Sequence, residues 1–204
     1  GPATSDPTDQ DLPGGFIAAA IAIVVLVVAF VPGVLAGDMA LPARLICAAG
    51  VAVFGLLFVT VAARIVGIVG VSSQPTSGIT LVTLLGTASL FAAFGWVEPG
   101  ARAAVLTVGT IVAVAASKAG DISQDLKTGF LVGATPARQQ LGQLIGAACA
   151  CWAVAATVML LSSYGFGSKE LAAPQATLMK TIIEGVLSGE LPWGLVGTGA
   201  GVSL

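Results

Sequence analysis

The sequence contains no histidine, and only 9% of its 204 residues are charged. Without histidine, this chain cannot build a Ser-His or Cys-His nucleophile pair or an HExxH zinc site. Its three cysteines, Cys47, Cys149 and Cys151, are odd in number and all lie in apolar stretches. That argues against a paired disulfide framework, and scattered thiols without histidine leave no metal-ligating set. The 8 basic and 10 acidic residues give a formal net charge of −2. No basic face is available for phosphate, so no nucleic-acid partner is expected.

What fills the chain is apolar. Hydrophobic residues make up 56%, and the mean hydropathy is +1.01. Uncharged intervals run from Leu12 to Gly37, Leu45 to Ala63, Ile65 to Val97, Ala103 to Ser117 and Gln139 to Ser168. Most suffice for a membrane crossing, which takes about 20 helical residues. A membrane β-barrel alternates apolar and polar residues, whereas runs such as "FIAAAIAIVVLVVAFV" are continuous. Helices satisfy their own backbone in lipid. The expectation is an all-α, polytopic transmembrane protein with the lipid bilayer as its first partner.

Residues 1–13 read as a polar linker without fixed structure, too acidic for a signal peptide. Spans are expected over about 14–35, 43–69, 77–94, 103–117 and 136–164. A shorter, more charged helix over about 174–188 suits a re-entrant or interfacial position. A last apolar run from about 193 is too short to cross. The chain opens on Gly1 and closes inside that run, so we expect a fragment of a larger protein. Trp96 is expected to anchor an interfacial turn. Lys118, Lys127 and Arg138 fall in one expected connection, which the positive-inside rule assigns to the cytoplasm.

Three polar places interrupt this apolar chain. "SSQPTSG" puts Ser72, Ser73, Gln74, Pro75, Ser77 and Gly78 where a helix must break. Broken helices in membranes leave bare peptide groups, which carriers use as substrate and ion sites. A plain proline kink or an aqueous loop is the alternative. "GDISQDLKTG" sets Asp121, Gln124, Asp125 and Thr128 on one helical face, with Lys127 beside them. Asp121 with Gln124 reads as a capping box at the start of a cytoplasmic helix. Alternatively, the paired carboxylates relay protons if partly buried. "LAAPQATLMK" places Gln175 in the first turn of a helix opened by Pro174, as a ligand contact or an ordinary helix start.

Taken in order, "IVGVSSQPTSGIT", "GDISQDLKTGFLVGATPARQQ" and "LAAPQATLMKTIIEGVLSGELPW" resemble the oligopeptide transporter (OPT) family, closest to its prokaryotic and yellow stripe-like branch. The likeness covers most of Ala43 to Trp193. It implies a secondary transporter that moves small peptides or metal–chelate complexes, with the proton as coupling ion and no cofactor. It also implies further spans upstream as partners, and a multi-pass location in the prokaryotic inner membrane. Ser72, Ser73, Gln74, Pro75, Ser77, Gly78 and Gln175 become substrate-path candidates. Asp121, Gln124, Asp125 and Lys127 become coupling or gating candidates. The family's usual asparagine before the proline is Gln74 here. An intramembrane hydrolase and a channel or structural subunit are the competing readings. The hydrolase is weakened because both aspartates sit on one helix, whereas an aspartyl dyad joins two segments.

Overall fold

The computed structural model describes residues 6–36, 39–71, 73–190 and 193–202. After a 3-10 turn at Pro7–Asp9 come seven helices among the described residues. These are α1 (Gly14–Phe30), α2 (Leu41–Val69), α3 (Thr76–Ala93), α4 (Pro99–Leu131), α5 (Pro136–Ser163), α6 (Pro174–Ser188) and α7 (Trp193–Val202). No strand occurs among the described residues. Helices α2 to α5 are long and apolar enough to cross a membrane. The 17 residues of α1 reach about 26 Å, slightly less than a hydrocarbon core of about 30 Å. The chain is thus an all-helical, polytopic membrane protein.

Proline starts four of these helices. Pro42, Pro99, Pro136 and Pro174 occupy the first two helical positions of α2, α4, α5 and α6. Their missing N–H costs nothing there, because a first-turn amide has no acceptor in its own helix. Glycine ends α4. Gly133 takes φ +75°, the Ala134 amide donates to the Gly129 carbonyl at 2.8 Å, and the Gly133 amide to Phe130 at 3.2 Å. This paired arrangement satisfies carbonyls that the helix leaves bare. The same pair of bonds closes α3 at Gly95 and leads directly into Trp96. Trp96 then stands edge-on to Phe91 and stacked with Phe94, half-buried.

Helix α4 is the hub, packing against α2, α3, α5 and α6, while α1 lies on α2 and α6 on α3. Its contact stripe reads Ala101, Ala104, Val105, Val108, Val112 and Ala116, all buried and on one helical face. Cys47, Ala48 and Val51 of α2, Leu84, Ala88 and Phe91 of α3, and Ile183 and Val186 of α6 meet part of that stripe. Small residues allow the close approach. A Cβ on Gly109 would lie 2.4 Å from Leu84 Cδ2, and one on Gly86 would lie 2.6 Å from Phe54 Cζ. Without water to expel, packing of this kind holds membrane helices together.

Two expectations need correction. The polar stretch after Ser117 is not a connection: α4 continues through it for a total of 33 residues, about 50 Å. Residues 118–131 hold no proline, and Thr128 donates back to the Gln124 carbonyl within the helix, so polarity alone does not end it. Asp121 therefore lies in mid-helix and starts no capping box. The N-terminal tail is also not wholly a free linker. The Ala137 amide donates to the Gln10 carbonyl at 2.8 Å. Gln140 accepts from the Leu12 amide and donates to Asp11. Thr135 stands at the N-cap of α5, but its side chain forms no capping bond. The tail supplies an acceptor in its place.

Gly109→Val in the intact protein is expected to force Leu84 off its rotamer and to cost about 1–3 kcal/mol. A lowered midpoint in a detergent thermal melt checks this; an unchanged midpoint would mean that α3 and α4 can move apart freely.

Candidate substrate-path site

The end of α2 poses a bonding problem. Its last turn leaves carbonyls without intrahelical donors, and the chain then turns back before α3 begins at Thr76; α2 and α3 lie antiparallel, with Gly50 near Thr87 and Ala62 packed with Ile79, so this stretch connects two spans rather than breaking one. The polar half of α4 meets that end. Lys127 Nζ donates to the Gly67 carbonyl at 2.7 Å, and Gln124 Nε2 reaches the Gly70 carbonyl at 3.5 Å. Ser123 Oγ donates to the Ala63 carbonyl at 3.0 Å. Residues 120, 123, 124 and 127 share one face of α4 by helical spacing. A cation against the negative end of a helix dipole is also favourable.

The connection itself docks on the same helix. Gln74 is half-buried, and its Nε2 donates to Ser117 O at 3.0 Å and to Ser117 Oγ at 3.3 Å. Its Oε1 is buried without a hydrogen-bond partner. This packing requires Gly120, where a Cβ would come within 2.7 Å of that oxygen. Around Gln74 the chain turns tightly, with the Ser73 amide on Val71 O and the Thr76 amide on Gln74 O. Ser73, Pro75, Ser77 and Gly78 are exposed. Pro75 is the N-cap of α3, and Ser77 and Gly78 lie in its first turn, at the positive end of the helix dipole. Ser72 lies outside the described residues.

A second face of α4 meets α5. The Gln143 side chain joins Lys118 and Asp125: Lys118 Nζ donates to its Oε1, and its Nε2 donates to Asp125 Oδ2. Gln139 Nε2 donates to the Asp125 carbonyl at 3.2 Å. Gly129 makes room for Gln139, whose atoms would lie 2.2 Å from a Cβ there. Between the two helices opens a cleft of about 630 Å³, lined by Gln124, Asp125, Thr128, Gln139 and Gln143 together with small residues. That volume suits a small-molecule ligand.

The structure thus brings Gln74, Gln124, Asp125 and Lys127 to one junction at the polar end of α4. The side chain of Asp121, a half-buried residue of the same helix, has no hydrogen bond or ion pair among the described residues. Gln175 is not brought there. It is exposed in the first turn of α6, and α6 is tied to the other end of α4 by the Arg102–Glu184 ion pair at 3.0 Å. Arg102 precedes Ser117 by about 22 Å of helix. Lys180, one turn from Glu184, stands farther from it at 4.0 Å. Ser117, Gly120, Ser123, Gln139 and Gln143 are site residues that were not singled out from the sequence. The usable signal was Gln139, Gln140 and Gln143 spaced along one end of an otherwise apolar helix. No cluster of potential metal ligands occurs among the described residues.

Lys127→Met is expected to uncap α2 at a cost of about 1 kcal/mol, since the side chain is exposed. Amide hydrogens of residues 67–71 should then exchange roughly fivefold faster. Unchanged exchange there would show that the Lys127–Gly67 bond is incidental.

Sequence comparisons agree with this architecture. The family profile described as OPT oligopeptide transporter protein matches residues 4–204. A Haemophilus influenzae protein bearing an oligopeptide-transporter name is 34% identical over 172 residues, 74% of this chain and 27% of its own length. A Saccharomyces cerevisiae protein with the same kind of name is 43% identical over 67 residues, 33% of this chain and 8% of its own. The chain therefore spans about a quarter or less of these relatives. No solved structure matches it. With the profile covering nearly every residue, from the tail through the α2–α3 connection to α7, the chain belongs to the oligopeptide transporter (OPT) family.

Proposed function

We propose that the intact protein is a proton-coupled secondary transporter that takes up small peptides or peptide-like metal chelates. Its path would run past the α2–α3 connection and the α4–α5 cleft, across the inner membrane of a prokaryote. One observation carries this reading. Several polar groups of an otherwise apolar chain meet where α2 ends, α3 begins and α4 turns polar, beside a cleft of ligand size. Bare peptide groups and ionisable side chains in membrane helices are costly and are kept where a solute or an ion passes.

Within this reading the exposed first turn of α3, with Ser73, Pro75, Ser77 and Gly78, offers amides to an anionic group. Gln74 holds the connection against α4, and Ser72 belongs to the same segment by sequence. Gln175 would serve a separate point, at α6. Asp121 and Asp125 are the proton-carrying candidates, with Gln124 and Lys127 holding the helix on which they stand. No cofactor is required, because the proton gradient drives the movement. The relatives' names point to transport, and the bacterial one favours a prokaryotic setting.

The test uses the full-length protein in proteoliposomes with an imposed proton gradient. Wild type is expected to accumulate labelled di- and tripeptides, and an ionophore should abolish the accumulation. Asp125→Asn is expected to cut gradient-driven uptake about tenfold or more while leaving the amount of folded protein unchanged. Wild-type uptake by this variant at every pH would remove Asp125 from coupling; gradient-independent flux in the wild type would favour a channel.

A further inference from the structure

The Gln143 amide is held in an unusual way. An ammonium can only donate and a carboxylate can only accept. Lys118 and Asp125 therefore fix which end of the amide faces each of them: oxygen to Lys118, nitrogen to Asp125. The two charged residues lie seven apart on α4, two turns and about 10 Å of rise, on one face. They do not pair with each other among the described residues. A neutral amide wedges between them. Asp125 and Gln143 also line the α4–α5 cleft, which Lys118 meets only through Gln143.

We propose that Lys118 and Asp125 form a dipolar recognition site for the free termini of a short peptide, with Gln143 occupying it as an internal stand-in. The proposal rests on the transport reading above and names what the site selects. A peptide carboxylate replaces the amide as partner of Lys118 and a peptide ammonium replaces it as partner of Asp125; the two side chains, rooted about 10 Å apart along α4, part to meet termini that lie farther apart than the ends of one amide. Each exchange turns a bond with one charged partner into a bond with two, which is stronger. Gln143 can be withdrawn by a change of its own rotamer, since hydrogen bonds alone hold its amide between Lys118 and Asp125. The cleft has room for the remainder of a di- or tripeptide.

Calorimetry on the purified full-length protein tests this with three probes: Ala-Ala, its C-terminal amide and its N-acetyl form. The wild type should bind Ala-Ala about tenfold more tightly than either blocked probe, since each block removes one charge-assisted contact. In Lys118→Met the preference over the amide should fall to about one, while the preference over the acetylated probe persists. Asp125→Asn should show the converse. Gln143→Ala should bind Ala-Ala about fivefold more tightly, because no internal group must be displaced. Equal wild-type binding of all three probes overturns the proposal without any variant needing to fold. So does Ala-Ala binding by Gln143→Ala no tighter than that of the wild type, the result expected of a purely structural latch. A wild type that accumulates peptides under a proton gradient yet binds the probes alike keeps its transport reading and loses this site. One that neither binds nor accumulates peptides loses both.

Discussion

The structure turns on the need to satisfy the peptide groups at the turn where α2 ends and α3 begins. When α2 stops at Val69 and α3 starts at Thr76, the carbonyls of one helix and the amides of the other lose their intrahelical partners. A buried peptide group left without a partner costs about 1–3 kcal/mol. The polar half of α4 meets part of this need through Lys127 and Gln124 on the carbonyl side, while Ser123 adds a second donor to the Ala63 carbonyl inside α2. Gln74 fastens the connection to Ser117. The same need accounts for a helix of 33 residues whose second half is rich in charge.

Packing divides the molecule into two kinds of contact. Toward the start of α4, the join to α2, α3 and α6 is built from small and branched apolar side chains, with the Arg102–Glu184 pair at its margin. Toward its end, the joins are polar, and glycine makes them possible: Gly120 beneath Gln74, Gly129 beneath Gln139. Helix α5 hangs on this polar end and on the N-terminal tail, with Leu144, Ile145, Trp152 and Met159 left exposed. An apolar surface of this extent would be a liability in water; on a membrane helix it is what lipid and neighbouring spans cover.

Much of this was legible in the residues. Continuous apolar runs dictated helices, because no other open structure satisfies its own backbone in lipid. Pro174 marked a helix start, and Gln74-Pro75 marked the end of one helix and the approach of the next. Helical spacing put Gln124, Asp125 and Thr128 on one side of α4, and all three line the cleft. The length of α4 was misjudged because polarity was taken for a loop, although helix propensity depends on side-chain and backbone freedom rather than on charge. Asp121 was misjudged with it, since a capping box needs a helix start and α4 has none there.

What the sequence determined by itself is what depends on near neighbours along the chain: helix class, membrane character, the position of the α2–α3 connection and the chemical stock of the polar stretches. Only the tertiary structure decided which of these stretches meet. It placed Gln74 on Ser117 and Gly120, set Gln143 between Lys118 and Asp125, laid Gln10 to Leu12 across the start of α5, and left Gln175 on a different helix. The reason is physical. Periodicity reports which face of a helix a residue occupies, but the identity of the facing helix follows from packing among small residues far apart in sequence.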